Sequence, residues 1–523
     1  MFTKPTRAAL VALHLATVAV QAIGFDKAAG GIHVRAPEEE PDYICSATKP
    51  CQLGCCGPLD PVTGTGVCGG GPDHCGPGKC TSQCNWKSDC DPGWGAQWSQ
   101  SSKCPLNVCC SKFGFCGTTA HFCEGQLAPS PECPISQGTS DKRTVGYWEG
   151  WHLGRPCGVM KPDDIPLGYY THLNFAFAMI HPQTFNIISM SPEMTPLYSQ
   201  VTALKAKQPG LQVWIAIGGW SHNDPGPFRT AFSDMAASDA NQDAFFESLV
   251  KFMLQYDFDG VDLDWEYPVA DDRGGIPADF DNYPRMLRRL RARLNATGRK
   301  YGISMAIPAS YWYLRGFNLK AIEPSLDWFN VMTYDIHGTW DSSVRAIGSY
   351  AYAHTNLTEI QHGLELLWRN NVNPERVNLG LGFYGRSFKM ADPNCMRPGC
   401  PFINATGAAP GRCTGTEGVL AALEINEIIR NGGQQTLYAE DAVQVVTWGG
   451  DQWVSWDDAS TLKMKQDYAN RRCLGGTMVW AIDLDDGTLV NALGGNLNRK
   501  KAGVYPYTPL KCNLGGHVIH SEL

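Results

Sequence analysis

The segment from Tyr256 to Pro268, YDFDGVDLDWEYP, alternates carboxylates with apolar residues at a period of two. This period predicts a β-strand on which Asp262, Asp264 and Glu266 share one face, about 6.6 Å apart in successive pairs. Three acids that line an interior need shared protons, hydrogen bonds, a metal or a catalytic role, because an isolated buried charge costs a great deal of free energy. The function that best suits such a row is general acid catalysis.

Eight apolar, β-rich runs follow one another along the second part of the chain, and helix-length segments fit between most of them. Near-continuous apolar strands that alternate with helices are what a parallel sheet buried on both faces requires. We therefore predict an α/β barrel over residues 143–490, with a doubly wound sheet as the rival. The last two runs lie about 90 residues apart, which predicts an inserted lobe over roughly residues 388–450. The runs are TVGYW, THLNFAFAMI, LQVWIAIGG, DGVDLDW, YGISMAIP, WFNVMTYD, VNLGLGFYG and GGTMVWAID.

Cysteine is distributed unevenly, because 15 of the 21 cysteines lie between Cys45 and Cys133. That stretch has too few aliphatic residues for a core and needs disulfides, which form in oxidising compartments. A pattern of Cys-Cys, a spacer, Cys, six residues and Cys occurs twice, which predicts tandem modules over residues 45–84 and 90–123. The sequence leaves open whether the odd Cys133 pairs with Cys157 and so ties a module to the barrel.

The first 22 residues carry Lys4 and Arg7 before an apolar run that ends in Val-Gln-Ala, a pattern typical of a cleavable secretory signal. Residues 23–44 are predicted to be an acidic lead-in segment, 124–142 a Pro/Ser linker and 491–523 a C-terminal tail. No other run approaches the roughly 20 apolar residues that a membrane span needs, so we expect a secreted, extracellular protein. The net charge of −8, or −10 without the two cations of the signal, argues against nucleic acid as a partner. Sequons that fit a secreted glycoprotein occur at Asn295, Asn356 and Asn404.

The segment DGVDLDWEYP resembles the signature of the family 18 glycoside hydrolases, the chitinases, in which Asp-x-x-Asp-x-Asp-x-Glu lies on the fourth strand of a TIM barrel. All four acidic places are filled, from Asp259 to Glu266. The resemblance extends through FNVMTYDIHGTW, YGRSF and GGTMVWAIDLDD, and it implies a (β/α)8 TIM barrel with a small inserted α+β lobe. One departure is Ala216, which stands where the family usually has the serine of Ser-x-Gly-Gly, a supporting residue.

This resemblance implies a retaining, substrate-assisted hydrolysis of the β-1,4 links of chitin, with Glu266 as the general acid. Asp264 would hold the acetamido N–H of the sugar and share a proton with Asp262, while Tyr334 would donate to the acetamido oxygen. We expect mutual repulsion along the acid row to raise the carboxyl pKa values, which keeps a proton available near neutral pH. The residues implied for substrate binding are Tyr147, Phe177, Trp220, Tyr267, Met332, Asp335, Tyr384, Arg386 and Trp480. The sequence leaves open whether four further tryptophans extend the substrate groove, namely Trp340, Trp448, Trp453 and Trp456.

The stretch CPLNVCCSKFGFCGTTAHFC resembles a hevein-type chitin-binding domain, and the upstream module resembles the same domain. We expect the aromatic rings of the second module to be exposed for stacking on sugars, since a disulfide knot has little interior to fill. The upstream module has Gly57 in place of the serine and no aromatic between Cys56 and Cys68, so it is interpreted as a degenerate copy. The sugar-binding positions of the second module are Ser111, Phe113, Phe115 and Phe122. Hevein-like pairing implies the disulfides Cys45–Cys56, Cys51–Cys68, Cys55–Cys75, Cys80–Cys84, Cys90–Cys110, Cys104–Cys116 and Cys109–Cys123.

The expected partners are chitin and chitooligosaccharides, bound by a monomer without a membrane partner. No metal or cofactor is expected, because no calcium-binding loop and no His/Cys cluster accompanies the acids; a cation site or a buried structural network is the alternative for the row. The rival functions are a non-catalytic, lectin-like or toxin-like protein that sequesters chitin, and an endo-β-N-acetylglucosaminidase or muramidase acting on other glycans. Lectins on this barrel usually lose the terminal glutamate, whereas Glu266 is present.

Overall fold

The computed structural model describes residues 43–124, 128, 130–134, 138–344 and 347–502. The predicted signal peptide, nearly all of the lead-in segment and most of the C-terminal tail lie outside these residues. Within the described part of the chain, no helix is long and apolar enough to cross a membrane.

The two cysteine-rich modules repeat one small fold. In each, a Cys-Cys strand pairs antiparallel with the strand that follows it, so that Cys56 faces Cys68 in the first module as Cys110 faces Cys116 in the second. The seven disulfides within the modules are the same pairs that hevein-like pairing implies. Their elements are β1 (Ile44–Ser46), β2 (Cys55–Cys56), β3 (Thr65–Gly69) and α1 (Gly71–Cys75), then β4 (Cys109–Cys110), β5 (Cys116–Gly117) and α2 (Ala120–Cys123).

Eight parallel strands close into a barrel, because its first strand pairs with both the second and the eighth. Each barrel strand coincides with one predicted apolar run, so the TIM barrel is confirmed and the doubly wound alternative is wrong. The first part of the barrel contains β6 (Arg143–Glu149), β7 (His172–Ile180), β8 (Ile187–Ser189), α3 (Thr195–Thr202), β9 (Gln212–Gly218), α4 (Ala231–Ala237), α5 (Asp239–Tyr256), β10 (Gly260–Asp264), α6 (Asp279–Asn295), β11 (Gly302–Pro308), α7 (Tyr311–Leu314), α8 (Leu319–Ile322) and β12 (Trp328–Met332).

A lobe built on a five-stranded antiparallel sheet is inserted between the seventh and eighth barrel strands. It extends beyond the predicted range of 388–450 at both ends, because only Phe383 separates the seventh barrel strand from the first lobe strand. The last helix also extends past residue 490, where the tail was predicted to begin. These elements are α9 (Leu357–Arg369), β13 (Val377–Gly382), β14 (Tyr384–Lys389), β15 (Val419–Ala421), α10 (Ala422–Arg430), β16 (Gln434–Tyr438), β17 (Val443–Trp448), β18 (Gln452–Trp456), α11 (Ala459–Arg471), β19 (Gly476–Trp480) and α12 (Thr488–Asn496).

The barrel interior is filled in layers. At the N-terminal end, Trp214 and Trp328 stack with their ring centroids 4.4 Å apart. Gly302 makes room for this pair, because a Cβ atom there would lie 2.0 Å from the Trp214 ring. The next layer is polar, and Asn378 Nδ2 donates to Asn330 Oδ1 at 2.9 Å. Apolar filling of one end therefore leaves the carboxyl ends of the strands for polar groups, as is usual for the mouth of such barrels.

The segment predicted as a linker is fastened to the barrel. Cys133 forms a disulfide with Cys473, and its backbone N–H donates to the Arg471 carbonyl at 2.8 Å. The bridge to Cys157 that the sequence left open is therefore not formed. Cys157 instead pairs with Cys413 and ties the loop after the first barrel strand to the lobe. Both bridges join residues more than 250 positions apart.

Candidate active site

The predicted acid row runs from the barrel interior to its mouth. Asp262 and Asp264 belong to β10, and Glu266 follows just past the end of that strand. All three side chains are buried. Burial is the largest cause of the raised pKa of each carboxyl. The expected mutual repulsion also raises the pKa of Asp264, through the charges of Glu266 and Asp262, but it ranks below burial because loss of hydration penalises the charge more than its neighbours do.

Asp262 is held by three donors from three other strands of the barrel. Its Oδ2 accepts from the Tyr147 hydroxyl at 2.6 Å, and its Oδ1 accepts from Ser304 Oγ at 2.5 Å and from Asn330 Nδ2 at 3.0 Å. These bonds lower the pKa of Asp262, although burial outweighs them. Among the described residues Asp262 forms no hydrogen bond with Asp264, and its donors reach both of its carboxylate oxygens.

Asp264 has a buried oxygen without a partner. Its Oδ1 accepts no hydrogen bond from any residue that the structure describes. Burial, followed by the charges of Glu266 and Asp262, raises the pKa of Asp264 well above its ordinary value. An unsatisfied buried acceptor costs about 1–3 kcal/mol. Asp264 is therefore an acceptor suited to an N–H group of a ligand.

Glu266 combines burial with a pKa near neutrality. Burial raises its pKa to about 7, the Tyr267 hydroxyl and the Arg273 charge act in the opposite direction, and Asp335 and Asp224 raise it further. A carboxyl with such a pKa keeps a proton over part of the neutral range, and it can also accept one, which is what general acid–base catalysis requires.

Stacked aromatic rings form one wall of the mouth. Phe177 lies 5.5 Å from Trp480 and 5.8 Å from Trp151 between ring centroids, and both pairs are stacked. Tyr147 packs against Trp480 at 5.4 Å and is itself buried. Sequence reasoning missed Trp151, which is 40 % exposed. Its position in the turn directly after the first barrel strand was the available signal.

Arg273 joins the opposite wall to the acid row, and sequence reasoning missed it as well. Its Nε donates to the Glu266 carbonyl at 3.1 Å and its Nη2 to the Trp220 carbonyl at 2.5 Å. The guanidinium lies 3.6 Å from the ring centroid of Trp220, which is exposed. Tyr267 is buried beside Glu266 and stacks on Tyr313 at 4.3 Å. Arg273 Nη1 also donates to Asp224 Oδ1 at 3.0 Å. The bonds that reach Glu266 and Trp220 go to backbone carbonyls, so no side-chain pattern in the sequence pointed to them.

The sixth and seventh barrel strands supply a third group. The Tyr334 hydroxyl lies 3.7 Å from Met478 Sδ. Asp335 accepts from the Tyr384 hydroxyl at 2.6 Å and from Arg386 at 2.7 and 2.5 Å. Burial alone would raise the pKa of Asp335, but the Arg386 charge and His354 hold it below its ordinary value. Asp335 and Arg386, both implied for substrate binding, thus form an ion pair with each other.

Met332 and four tryptophans complete the predicted set. Met332 is half-buried at the end of β12. Trp340 is exposed, with the Arg386 guanidinium 4.9 Å from its ring centroid. Trp453 and Trp456 are fully buried in the lobe and cannot extend a groove. Trp448 is half-buried and lines a pocket on the lobe surface.

The rings of the second module differ in exposure. Phe113 is 61 % exposed, whereas Phe122 is only 9 % exposed. Phe115 is half-buried and lies 5.9 Å from Trp86. The expectation that all three rings are exposed is therefore wrong for Phe122. That ring closes over Gly117, where a Cβ atom would lie 2.5 Å from it.

Ser111 has a structural contact in the same module. The side chain is buried, and its Oγ accepts from the Phe115 N–H at 3.2 Å. In the first module, the His74 ring lies over Gly69 as Phe122 lies over Gly117. The two modules thus share a fold but differ at the sugar-binding positions.

In each module, three cysteines have sulfur atoms close enough together to resemble the ligands of a metal ion. Cys45, Cys51 and Cys68 place their sulfur atoms close together, and three cysteines of the second module do the same. All of these cysteines form disulfides, so they offer no thiolate to a metal.

The chain thus combines small disulfide-stabilised modules with a barrel that has a buried acid row at its mouth. Comparison with known protein families identifies the class of protein that has this architecture. Residues 143–485 match glycosyl hydrolases family 18, and residues 94–133 match the chitin recognition protein family. The chain therefore belongs to family 18 of the glycosyl hydrolases.

Individual relatives agree with this assignment. The probable chitinase LysM18 of Penicillium expansum is 33 % identical over 426 residues, which cover 75 % of this chain and 29 % of that protein. The killer toxin subunits alpha/beta of Kluyveromyces lactis are 33 % identical over 400 residues, 73 % of this chain and 33 % of that protein. The alignments thus span about a third of these relatives. Catalytic domain 2 of the Ostrinia furnacalis Group II chitinase has a TM-score of 0.61 at 28 % identity and covers 70 % of this chain and 98 % of its own.

Proposed function

We propose that this protein is a secreted chitinase that hydrolyses the β-1,4 links between N-acetylglucosamine units with retention of configuration. The observation that carries the proposal is Glu266, a buried carboxyl at the barrel mouth whose pKa burial raises to about 7. Membership of family 18 and the chitin recognition match support chitin as the substrate. The ten disulfides in the described part of the chain fit an oxidising, extracellular destination.

In the first step, protonated Glu266 donates its proton to the glycosidic oxygen as the bond from that oxygen to C1 breaks. The acetamido carbonyl oxygen of the same sugar attacks C1 and closes an oxazolinium ring. Asp264 accepts a hydrogen bond from the acetamido N–H through its unpaired Oδ1, and the Tyr334 hydroxyl donates to the acetamido oxygen. Asp264, which takes part as the carboxylate throughout, stabilises the positive ring.

In the second step, the Glu266 carboxylate takes a proton from water, and the resulting hydroxyl attacks C1 from the face that the leaving group occupied. The ring opens, the acetamido group is restored, and Glu266 is protonated again. The anomeric configuration is retained because two inversions occur at C1. Asp262, held by Tyr147, Ser304 and Asn330, keeps a negative potential beneath Asp264.

The test is hydrolysis of chitohexaose by wild type and by Glu266→Gln, with the anomer of the first product recorded. Loss of the acid should lower kcat at least about a hundredfold while chitohexaose is still bound, and wild type should release the β-anomer. Glu149→Gln is a matched control, because Glu149 is also a buried glutamate at the end of a barrel strand but is paired with Arg155. It should keep turnover within about tenfold of wild type.

Turnover by Glu266→Gln close to that of wild type would refute the assignment of the acid. Binding of chitohexaose without cleavage by wild type would favour the sequestering function instead. Cleavage of glycoprotein glycans in preference to chitohexaose would favour the endo-β-N-acetylglucosaminidase.

A further inference from the structure

The second module is docked on the barrel by specific polar contacts. Asn107 Nδ2 donates to Asn370 Oδ1 at 3.0 Å, and Asn370 Nδ2 donates to the Leu106 carbonyl at 3.0 Å. The Arg369 guanidinium donates to the sulfur atoms of Cys109 and Cys123, at 3.5 Å in both cases. The contacts reach the C-terminal end of α9 on the outside of the barrel.

The docking site lies where the barrel has little helix of its own. The helix α8 between the fifth and sixth barrel strands has only four residues, so it covers less of the sheet than the longer helices do. Leu106 fills this region and lines the seam together with Phe280, Phe317 and Leu319. It belongs to the same continuous apolar core as the barrel. The module therefore completes the outer layer of the barrel and is also anchored through its linker at Cys133.

The docked orientation places the aromatic turn of the module next to a loop of the mouth. The Asp89 N–H donates to the Gly114 carbonyl at 2.9 Å, directly beneath the turn that carries Phe113. Arg315, at the end of that loop, lines the seam together with Ser101 and Lys103 of the module. The Arg315 guanidinium lies 3.7 Å from the ring centroid of Trp312.

The same loop continues to the acid row. Tyr313, which follows Trp312, stacks on Tyr267 at 4.3 Å, and Tyr267 is the neighbour of Glu266 in the chain. The mouth loop thus joins the seam, which Arg315 lines, to the neighbour of the general acid. Trp312 is half-buried.

We propose that the docked module and the barrel mouth together bind one long β-1,4-linked N-acetylglucosamine chain, with Phe113, Phe115, Trp86 and Trp312 as its outer contact surface. This proposal rests on the proposed function and names polymeric chitin, rather than short oligomers, as the substrate that uses the whole surface. A module on a flexible tether would only raise the local concentration of substrate. A docked module also aligns the chain with the cleft, because ring positions are fixed relative to Glu266.

The experiment distinguishes a docked module from a tethered one. It asks whether releasing the module and removing its exposed ring abolish the same interaction with chitin. Leu106→Asp places a charge in the apolar seam and should release the module, whose own fold is held by its disulfides. Phe113→Ala removes the exposed ring. The matched control is Val62→Ala, which shortens an exposed apolar side chain of the first module. For each variant, the rate on insoluble chitin is divided by its own rate on chitotetraose, and X-ray scattering in solution shows whether the module is released.

With a docked surface, Leu106→Asp and Phe113→Ala should each lower this ratio about threefold or more, and the double variant should be no worse than either, because both remove the same interaction. If Leu106→Asp releases the module without lowering the ratio, the proposal is overturned and the tether is correct. If Leu106→Asp fails to fold, Asn107→Ala combined with Arg369→Ala replaces it.

A wild type that does not cleave chitotetraose would contradict the proposed function and not the docking. The same variants are then compared for retention on chitin particles. The same non-additivity is expected there, and fully additive losses would overturn the shared surface.

Discussion

The basic limb of the pH profile follows from the burial of Glu266. The general acid must carry a proton, so activity is lost as the pH rises through the pKa of Glu266, which burial raises to about 7. With that pKa, about ten in eleven molecules hold the proton at pH 6 and about one in eleven at pH 8. We expect kcat/KM for chitohexaose to fall about tenfold between these two pH values.

Tyr267→Phe tests the cause of this value. The Tyr267 hydroxyl forms a hydrogen bond with the Glu266 carboxyl and lowers its pKa. A hydrogen bond to a charged group contributes about 1.5–3 kcal/mol, and one pKa unit corresponds to about 1.4 kcal/mol. Without the hydroxyl, the pKa of Glu266 should rise by about one to two units, so the basic limb should move to about pH 8–9.

Tyr313→Phe is the control for this experiment. Tyr313 stacks on Tyr267 at 4.3 Å, but its hydroxyl donates to Asp272 at 2.8 Å and not to Glu266. Removing that hydroxyl should leave the basic limb within about half a pH unit of wild type. A basic limb that does not move in Tyr267→Phe, or that moves equally in both variants, would refute the reasoning.

Two further changes test the support of the acid row and the core of the module. Ser304→Ala removes the 2.5 Å bond to Asp262; this should raise the pKa of Asp262 further and lower kcat about tenfold. Ala216→Ser in the same chain should restore part of kcat, whereas an unchanged kcat in Ser304→Ala would contradict the support. Phe122→Ala empties the core of the second module and should cost about 3 kcal/mol of its stability; calorimetry should show a lower melting temperature, which Phe113→Ala should leave unchanged because that ring is exposed.

The barrel was predictable because its signals are local. Each strand is a run of apolar residues bounded by polar segments, and the acids on the fourth strand follow the period of two that a strand imposes. Burial of the acid row also followed from the sequence, because its apolar neighbours on the strand require a buried position on both faces. The repeated cysteine spacing is local as well and predicted the tandem modules, while the disulfide pairs inside them followed from the resemblance to hevein.

Contacts between distant segments were not predictable in the same way. Cys133 and Cys473 are 340 positions apart, and nothing in either neighbourhood favours that pair over Cys157. The bonds that join Arg273 to Glu266 and Trp220 go to backbone carbonyls, which every residue offers. The burial of Phe122 depends on Gly117 and on how tightly the module closes, and composition alone favoured an exposed ring.

The position of Ser304 shows how a local motif and a spatial site can diverge. The family usually has a serine at this place in the third-strand motif, so Ala216 suggests that a supporting hydroxyl has been lost. In the barrel, Asp262 lies between Ala216 on one neighbouring strand and Ser304 on the other. The Ser304 hydroxyl reaches Asp262 from the opposite side. A carboxylate needs a donor within hydrogen-bonding distance but not from one particular strand, so the support expected of residue 216 is supplied by residue 304, and the departure from the motif does not imply an inactive site.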